Sequence, residues 1–173
     1  MKLKIRSHLE KDIPYRVKWL NDDIISKYIW TVSNEKTVLK KQEEWFRNYR
    51  KDKNKRFFTI CDNEEPIWFM WLSNISKINK NAELFIMIWE ISYHWKWVWR
   101  LALNALIKIA FDKYNLHKLN LWVYEENLPA VWLYKSLWFK IEWRFIEEAF
   151  FDWKFHNTLS MAIFQKDWLK HKL

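Results

Sequence analysis

Apolar and polar residues alternate over residues 2–7, KLKIRS, with the period of two that a half-buried strand requires. From Glu10 to Asn21 the spacing changes to that of a helix, with Asp12 near its start. The stretch TVLKKQEEWFRNYRK predicts a second helix, with Thr37 as its cap and Val38, Leu39, Gln42, Trp45 and Phe46 on or near one face. A lysine-rich loop, KDKNK, leads into RFFTICD and PIWFMWLSNI, two predicted strands joined by a turn at NEE. NAELFIMIW is apolar enough to predict a strand buried on both faces.

The strongest helical pattern is WRLALNALIKIAFDKY, which places Leu101, Leu103, Leu106, Ile107, Ala110 and Phe111 inside. LHKLNLWVY predicts a strand. Asn127 then caps LPAVWLYKSLW, with Pro129 in the first turn where a helix tolerates it. The remainder predicts two strands folded back at FDWK. The order β-α-α-β-β-β-α-β-α-β-β over residues 1–173 predicts one α/β domain, without repeats or linkers.

Composition narrows the picture. One cysteine, Cys61, excludes an internal disulfide and a cysteine metal cluster, and His94, His117 and His156 lack metal-ligand spacing and are expected at the surface or rim. There is no secretory h-region and no apolar run long enough to span a bilayer, so a cytoplasmic setting without membrane or metal is expected. The net charge of +9 raises nucleic acid as a partner, but the lysines are scattered rather than gathered into a patch or arm. No nucleic-acid partner is expected.

Two counts change the reading more. The chain has 15 tryptophans and no glycine, where about 7% glycine is usual. The eight residues YHWKWVWR, 93–100, hold three of those tryptophans at the start of the strongest helix. Replacing tryptophan by glycine gives HGKGVG there, and turns PIWFMWL, EWRF, YKSLWF and FDWKF into PIGFMGL, EGRF, YKSLGF and FDGKF.

With that replacement the chain resembles the GNAT acyltransferases, within them the RimJ/RimL-like and spermidine acetyltransferase branch. The resemblance runs from about residue 2 to residue 165 and rests on HWKWVW and ENLPAVWLYKSLWF. It implies the GNAT fold, a mixed central sheet flanked by helices. It also implies an N-acetyltransferase that takes acetyl-CoA as cosubstrate and acetylates a primary amine by direct attack in a ternary complex. The acceptor would be a polyamine, an amino sugar or a protein N-terminus, and a homo-oligomer is compatible with it.

Trp19, Trp45 and Trp168 suit the family pattern as tryptophans; the other twelve stand where the family has glycine. A codon read as tryptophan in one genetic code and glycine in another, such as UGA, leaves this trace, and so does deliberate replacement. If the tryptophans are real, the alternative is a catalytically dead GNAT-fold binding module, because three indoles would fill the phosphate path.

The resemblance also implies roles for particular residues. His94, Trp95, Lys96, Trp97, Val98, Trp99 and Arg100 would form the turn that receives the pyrophosphate of CoA on backbone N–H groups at a helix N-terminus. Ile86, Met87 and Ile88 would present splayed-strand backbone to the pantetheine and the thioester carbonyl. Tyr134 matches the family's general acid and Asn127 the residue beside the CoA arm, although each also suits its helix as a core residue and an N-cap. Glu83 is the candidate base or relay for the amine, with Glu35, Glu43 and Glu44 as weaker candidates to line an acceptor site.

Overall fold

The computed structural model describes residues 2–22, 36–86 and 95–171. Seven strands form a mixed sheet in the order β1-β2-β3-β4-β5-β7-β6. They are β1 Leu3–Ser7, β2 Arg56–Asp62, β3 Glu65–Ser76, β4 Asn81–Ile86, β5 Lys118–Tyr124, β6 Lys140–Phe151 and β7 Lys154–Phe164. The helices are α1 Ile13–Leu20, α2 Leu39–Tyr49, α3 Trp95–Lys108, α4 Leu128–Ser136 and α5 Gln165–Lys170. The chain divides into two compact units: Met1–Ser73 with Phe85–Ala102, and Asn74–Leu84 with Leu103–Leu173.

In the first unit β1 runs antiparallel to β2 from Leu3↔Asp62 to Ser7↔Phe58, and β2 runs antiparallel to β3 with a bulge at Ile60/Cys61. Ile60, Met70 and Leu72 are fully buried, apolar side chains worth about 1.5–3 kcal/mol each on burial, and Cys61 is buried beside them. A short 3-10 turn, Glu10–Asp12, precedes α1, so the regular helix starts three residues later than the spacing predicts. Asp12 is fully buried; its carboxylate accepts from Arg6 at 2.6 and 2.7 Å, from the Leu9 N–H at 2.9 Å and from the Thr59 hydroxyl at 2.8 Å.

Thr37 does not cap α2. The N-cap is the extended Val38, and the Thr37 hydroxyl instead accepts from the Gln42 amide at 2.8 Å. Gln42 and Phe46 are the buried residues of α2, whereas Val38 and Leu39 are exposed.

In the second unit β5 pairs antiparallel with β7 along its whole length, and β7 folds back on β6. Asn81–Glu83 of β4 runs parallel to Lys118–Asn120 of β5. The described part of β4 alternates between buried Ala82, Leu84, Ile86 and half-buried Asn81, Glu83, Phe85. The expectation of burial on both faces is therefore corrected there. Leu103, Leu106, Ile107, Ala110 and Phe111 are buried as the pattern predicts. Leu101, by contrast, is half exposed, because Ala102 takes the inward place in that turn. The sequence pattern does not anticipate α5, a single six-residue stretch whose Trp168 ring packs 5.6 Å from Phe111. Among the described residues no helix is long and apolar enough to cross a membrane.

Candidate active site

The expected site residues fall on both units. In the first, Ile86 is buried at the end of β4. Met87, Ile88, His94 and Glu35 lie outside the described residues, as do Trp30 and Trp89. Trp95 and Lys96 open α3. On the same turn Trp97 is 69% exposed while Val98 and Trp99 are buried, and the Trp99 ring meets Trp68 edge-on at 6.2 Å. Arg100 is exposed.

Helix α3 is 14 residues long and its first turn presents N–H groups with no partner inside the helix. Such an end suits a pyrophosphate when the turn is bare, because the phosphate oxygens must reach the main chain. The indole of Trp97 stands exposed on that turn. Glycine at 97 would leave that turn bare, whereas the tryptophan places an indole on it.

The second unit holds Glu83, Asn127 and Tyr134. Asn127 caps α4 as its sequence predicts: its side-chain oxygen accepts from the Ala130 N–H at 3.3 Å, and its carbonyl accepts from Val131 at 3.0 Å. At the other end of α4, Trp138 N–H donates to the Lys135 carbonyl at 3.0 Å and Phe139 N–H donates to the Tyr134 carbonyl at 3.1 Å. This crossed pair is a Schellman closure, completed by the Phe139 and Tyr134 rings 5.9 Å apart.

The cap and the closure fix both ends of the helix that carries Tyr134. The Tyr134 phenol is buried, and burial pushes its pKa well above the ordinary tyrosine value, so it stays protonated through the neutral range. Glu83 is half-buried on β4, and one of its carboxylate oxygens accepts from the Asn74 amide at 2.9 Å.

Two clusters escape sequence reading. His156, expected at the surface, is buried on β7; Nδ1 meets the Glu126 carboxylate, Nε2 faces the Phe151 carbonyl at 3.1 Å, and the ring stacks on Phe151 at 3.5 Å. Glu126 is 30 residues away in sequence and adjoins the Asn127 cap, so it is the pairing of β5 with β7 that brings the two together.

The other cluster surrounds Arg16 in the first unit. Its guanidinium lies 3.8 Å from the Trp45 ring, 4.6 Å from Phe69 and 5.2 Å from Phe57, and Nε donates to the Gln42 side chain at 2.9 Å. Burial pulls its pKa down to about 9. A cavity of about 590 Å³ in the same unit is lined by His8, Lys11, Tyr49, Arg50, Lys53 and Arg56 among others.

The chain is similar to proteins of known activity over most of its length. The Acetyltransferase (GNAT) domain family matches residues 2–140. The spermidine N(1)-acetyltransferase of Escherichia coli strain K12 is 26% identical over 171 residues, 98% of this chain and 90% of that protein. The solved spermidine N-acetyltransferase of Vibrio cholerae in complex with CoA and spermine is 25% identical, with a TM-score of 0.84 over 96% of this chain and 98% of that one. A dodecameric structure of the Vibrio cholerae spermidine N-acetyltransferase is 26% identical, with a TM-score of 0.84 over 99% of this chain and 98% of that one.

Proposed function

Because the chain belongs to the GNAT acetyltransferase family, acting as an acetyl-CoA-dependent N-acetyltransferase, we propose that its acceptor is a polyamine. The observation that carries this is the near full-length likeness to a spermidine acetyltransferase solved with CoA and spermine. We further assign it a single GNAT domain over residues 1–173, a cytoplasmic setting and a homo-oligomeric assembly, the last supported by the dodecameric relative.

Acetyl-CoA supplies an activated acetyl thioester. Tyr134 holds a proton on a buried phenol and gives it to the sulfur as the carbon–sulfur bond breaks and the carbon–nitrogen bond forms. Glu83, oriented by Asn74, takes the proton that the attacking amine must lose, directly or through water. An alkyl ammonium with a pKa near about 10.4 has to be deprotonated before it attacks. Asn127 fixes the first turn of the helix that carries Tyr134, and backbone N–H groups at the start of α3 receive the pyrophosphate.

The test is acetyl transfer from acetyl-CoA by the native protein to spermidine, to an amino sugar and to a peptide with a free N-terminus. Spermidine is expected to be the preferred acceptor, and a preference for either of the others overturns the polyamine reading. Tyr134→Phe is expected to lower kcat by roughly 10²–10⁴-fold with little change in KM.

A further inference from the structure

Residues 152 and 153 are the two central residues of the β6–β7 turn, since Phe151 pairs with Lys154. Asp152 has φ 47° and Trp153 has φ 61°. Two residues at positive φ between paired strands make a type I′ turn, whose second position is dominated by glycine because the right-handed strand twist demands that backbone. At the end of α4 the residue after the C-cap is Trp138, at φ 70°. The Schellman closure places that residue in the left-handed region, where glycine is the usual occupant.

Elsewhere the chain meets this demand with residues that tolerate it. Asn63, Asn74 and Asn115 take positive φ, as Asp152 does, and short polar side chains are the ones enriched there. Lys80 and Glu147 are held by specific contacts. The Lys80 carbonyl accepts from the His117 and Lys118 N–H groups, and the Glu147 N–H donates to the Asn157 side chain at 2.8 Å. Trp138 and Trp153 are the bulkiest residues at such positions, and Trp153 is 93% exposed, so no packing compensates it.

Trp19, Trp45 and Trp168 behave as native aromatics. Trp19 stacks on Phe69 at 5.6 Å, Trp45 on Tyr49 at 5.3 Å, and the buried Trp168 donates Nε1–H to Asn104 at 3.5 Å. In contrast the buried indole N–H of Trp68 has no hydrogen-bond partner among the described residues.

We infer that the natural protein carries glycine at positions 138 and 153. By the same decoding it carries glycine at the other ten tryptophan positions besides 19, 45 and 168. The device is one codon, UGA, read as glycine in the source organism and written here as tryptophan. The inference rests on backbone geometry and composition and is independent of the acceptor proposed above.

The experiment has two readouts, neither of which requires activity. The first is the gene in its source genome. UGA is expected at 138 and 153 and UGG at 19, 45 and 168; UGG at 138 or 153 overturns the inference. The second is tandem mass spectrometry of the native protein on the peptides spanning 133–140 and 150–155. A glycine residue at 138 and 153 is expected, and tryptophan at either position overturns it.

Discussion

Trp45 presents its indole to the Arg16 guanidinium at 3.8 Å from an ordinary helical backbone, whereas Trp153 stands in a two-residue turn at φ 61°, almost wholly in solvent. The side chain is the same; what differs is the backbone beneath it and the company it keeps. Around Trp45 lie Tyr49, Phe57 and His8, with ring centroids 4.8–6.1 Å away. This arrangement uses the large apolar area and ring quadrupole of an indole to hold a buried cation. At Trp153 the backbone conformation is the one that a Cβ disfavours by roughly 1–2 kcal/mol. A tryptophan is informative about a fold only together with its φ and its neighbours.

The sharpest way to break the contrast is to remove the indole where it belongs. Trp45→Ala is expected to destabilise the protein by about 3 kcal/mol, near the lower end for loss of a packed aromatic. It also leaves the Arg16 charge without its nearest ring. The readout is the urea midpoint at constant slope. A loss below about 1 kcal/mol would put Trp45 in the same class as the tryptophans in turns.

A second test uses acid, because the same region holds buried titratable groups and the β6–β7 turn does not depend on them. Burial and the Arg16 charge lower the His8 pKa to about 4, with the Asp12 charge opposing. Unfolded, His8 titrates near 6.5. The unfolded chain then binds the extra proton between pH 6.5 and 4, so stability is fully present above 6.5 and is lost as pH falls toward 4. The full shift corresponds to about 3 kcal/mol.

Asp12 extends the loss at lower pH. Burial alone would raise its pKa, but the Arg6 guanidinium, the Leu9 N–H and the Thr59 hydroxyl together bring it down to about 2. Its contribution is therefore present above about pH 4 and disappears as pH falls toward 2. Stability measured from pH 7 to pH 4 is expected to fall steeply in the parent chain and to be nearly flat in His8→Phe over that window. An unchanged slope in the variant would assign the acid sensitivity to other groups.

These two regions also mark what the sequence could show. The strand and helix order is legible because each element except α5 is long enough to display its period, and the Asn127 cap and the FDWK turn are local chemistry. The Asp12 cluster is not legible: Arg6, Asp12 and Thr59 span 47 residues between the last two, and nothing local says that they meet. Arg16 is buried for the same reason, with Gln42 on another helix as its partner. The errors share a cause. Thr37 has the composition of a cap, but its hydroxyl is taken by Gln42, and Leu101 fits the apolar stripe while Ala102 turns inward. At the candidate site, Asn127 and the burial of Tyr134 follow from the pattern, whereas their catalytic assignment comes from the family resemblance.

The smallest effect separates backbone from bulk at the turn itself. Trp153→Gly is expected to stabilise the protein by about 1–2 kcal/mol, since the left-handed cost disappears and no packing is lost at a 93% exposed position. Part of that gain is returned, because glycine also enlarges the conformational freedom of the unfolded chain. Trp153→Ala is the control: it removes the same indole but keeps a Cβ, and so keeps the backbone cost. It is therefore expected to fall within about 0.5 kcal/mol of the parent. Trp138→Gly should gain less at the end of α4: the Schellman bonds from Trp138 and Phe139 to Lys135 and Tyr134 use main-chain groups alone, but the stack of the Trp138 ring on His171 at 3.5 Å is lost. If Trp153→Ala stabilised as much as Trp153→Gly, the penalty at the turn would belong to the exposed indole and not to φ. The contrast with Trp45 would then be one of packing only.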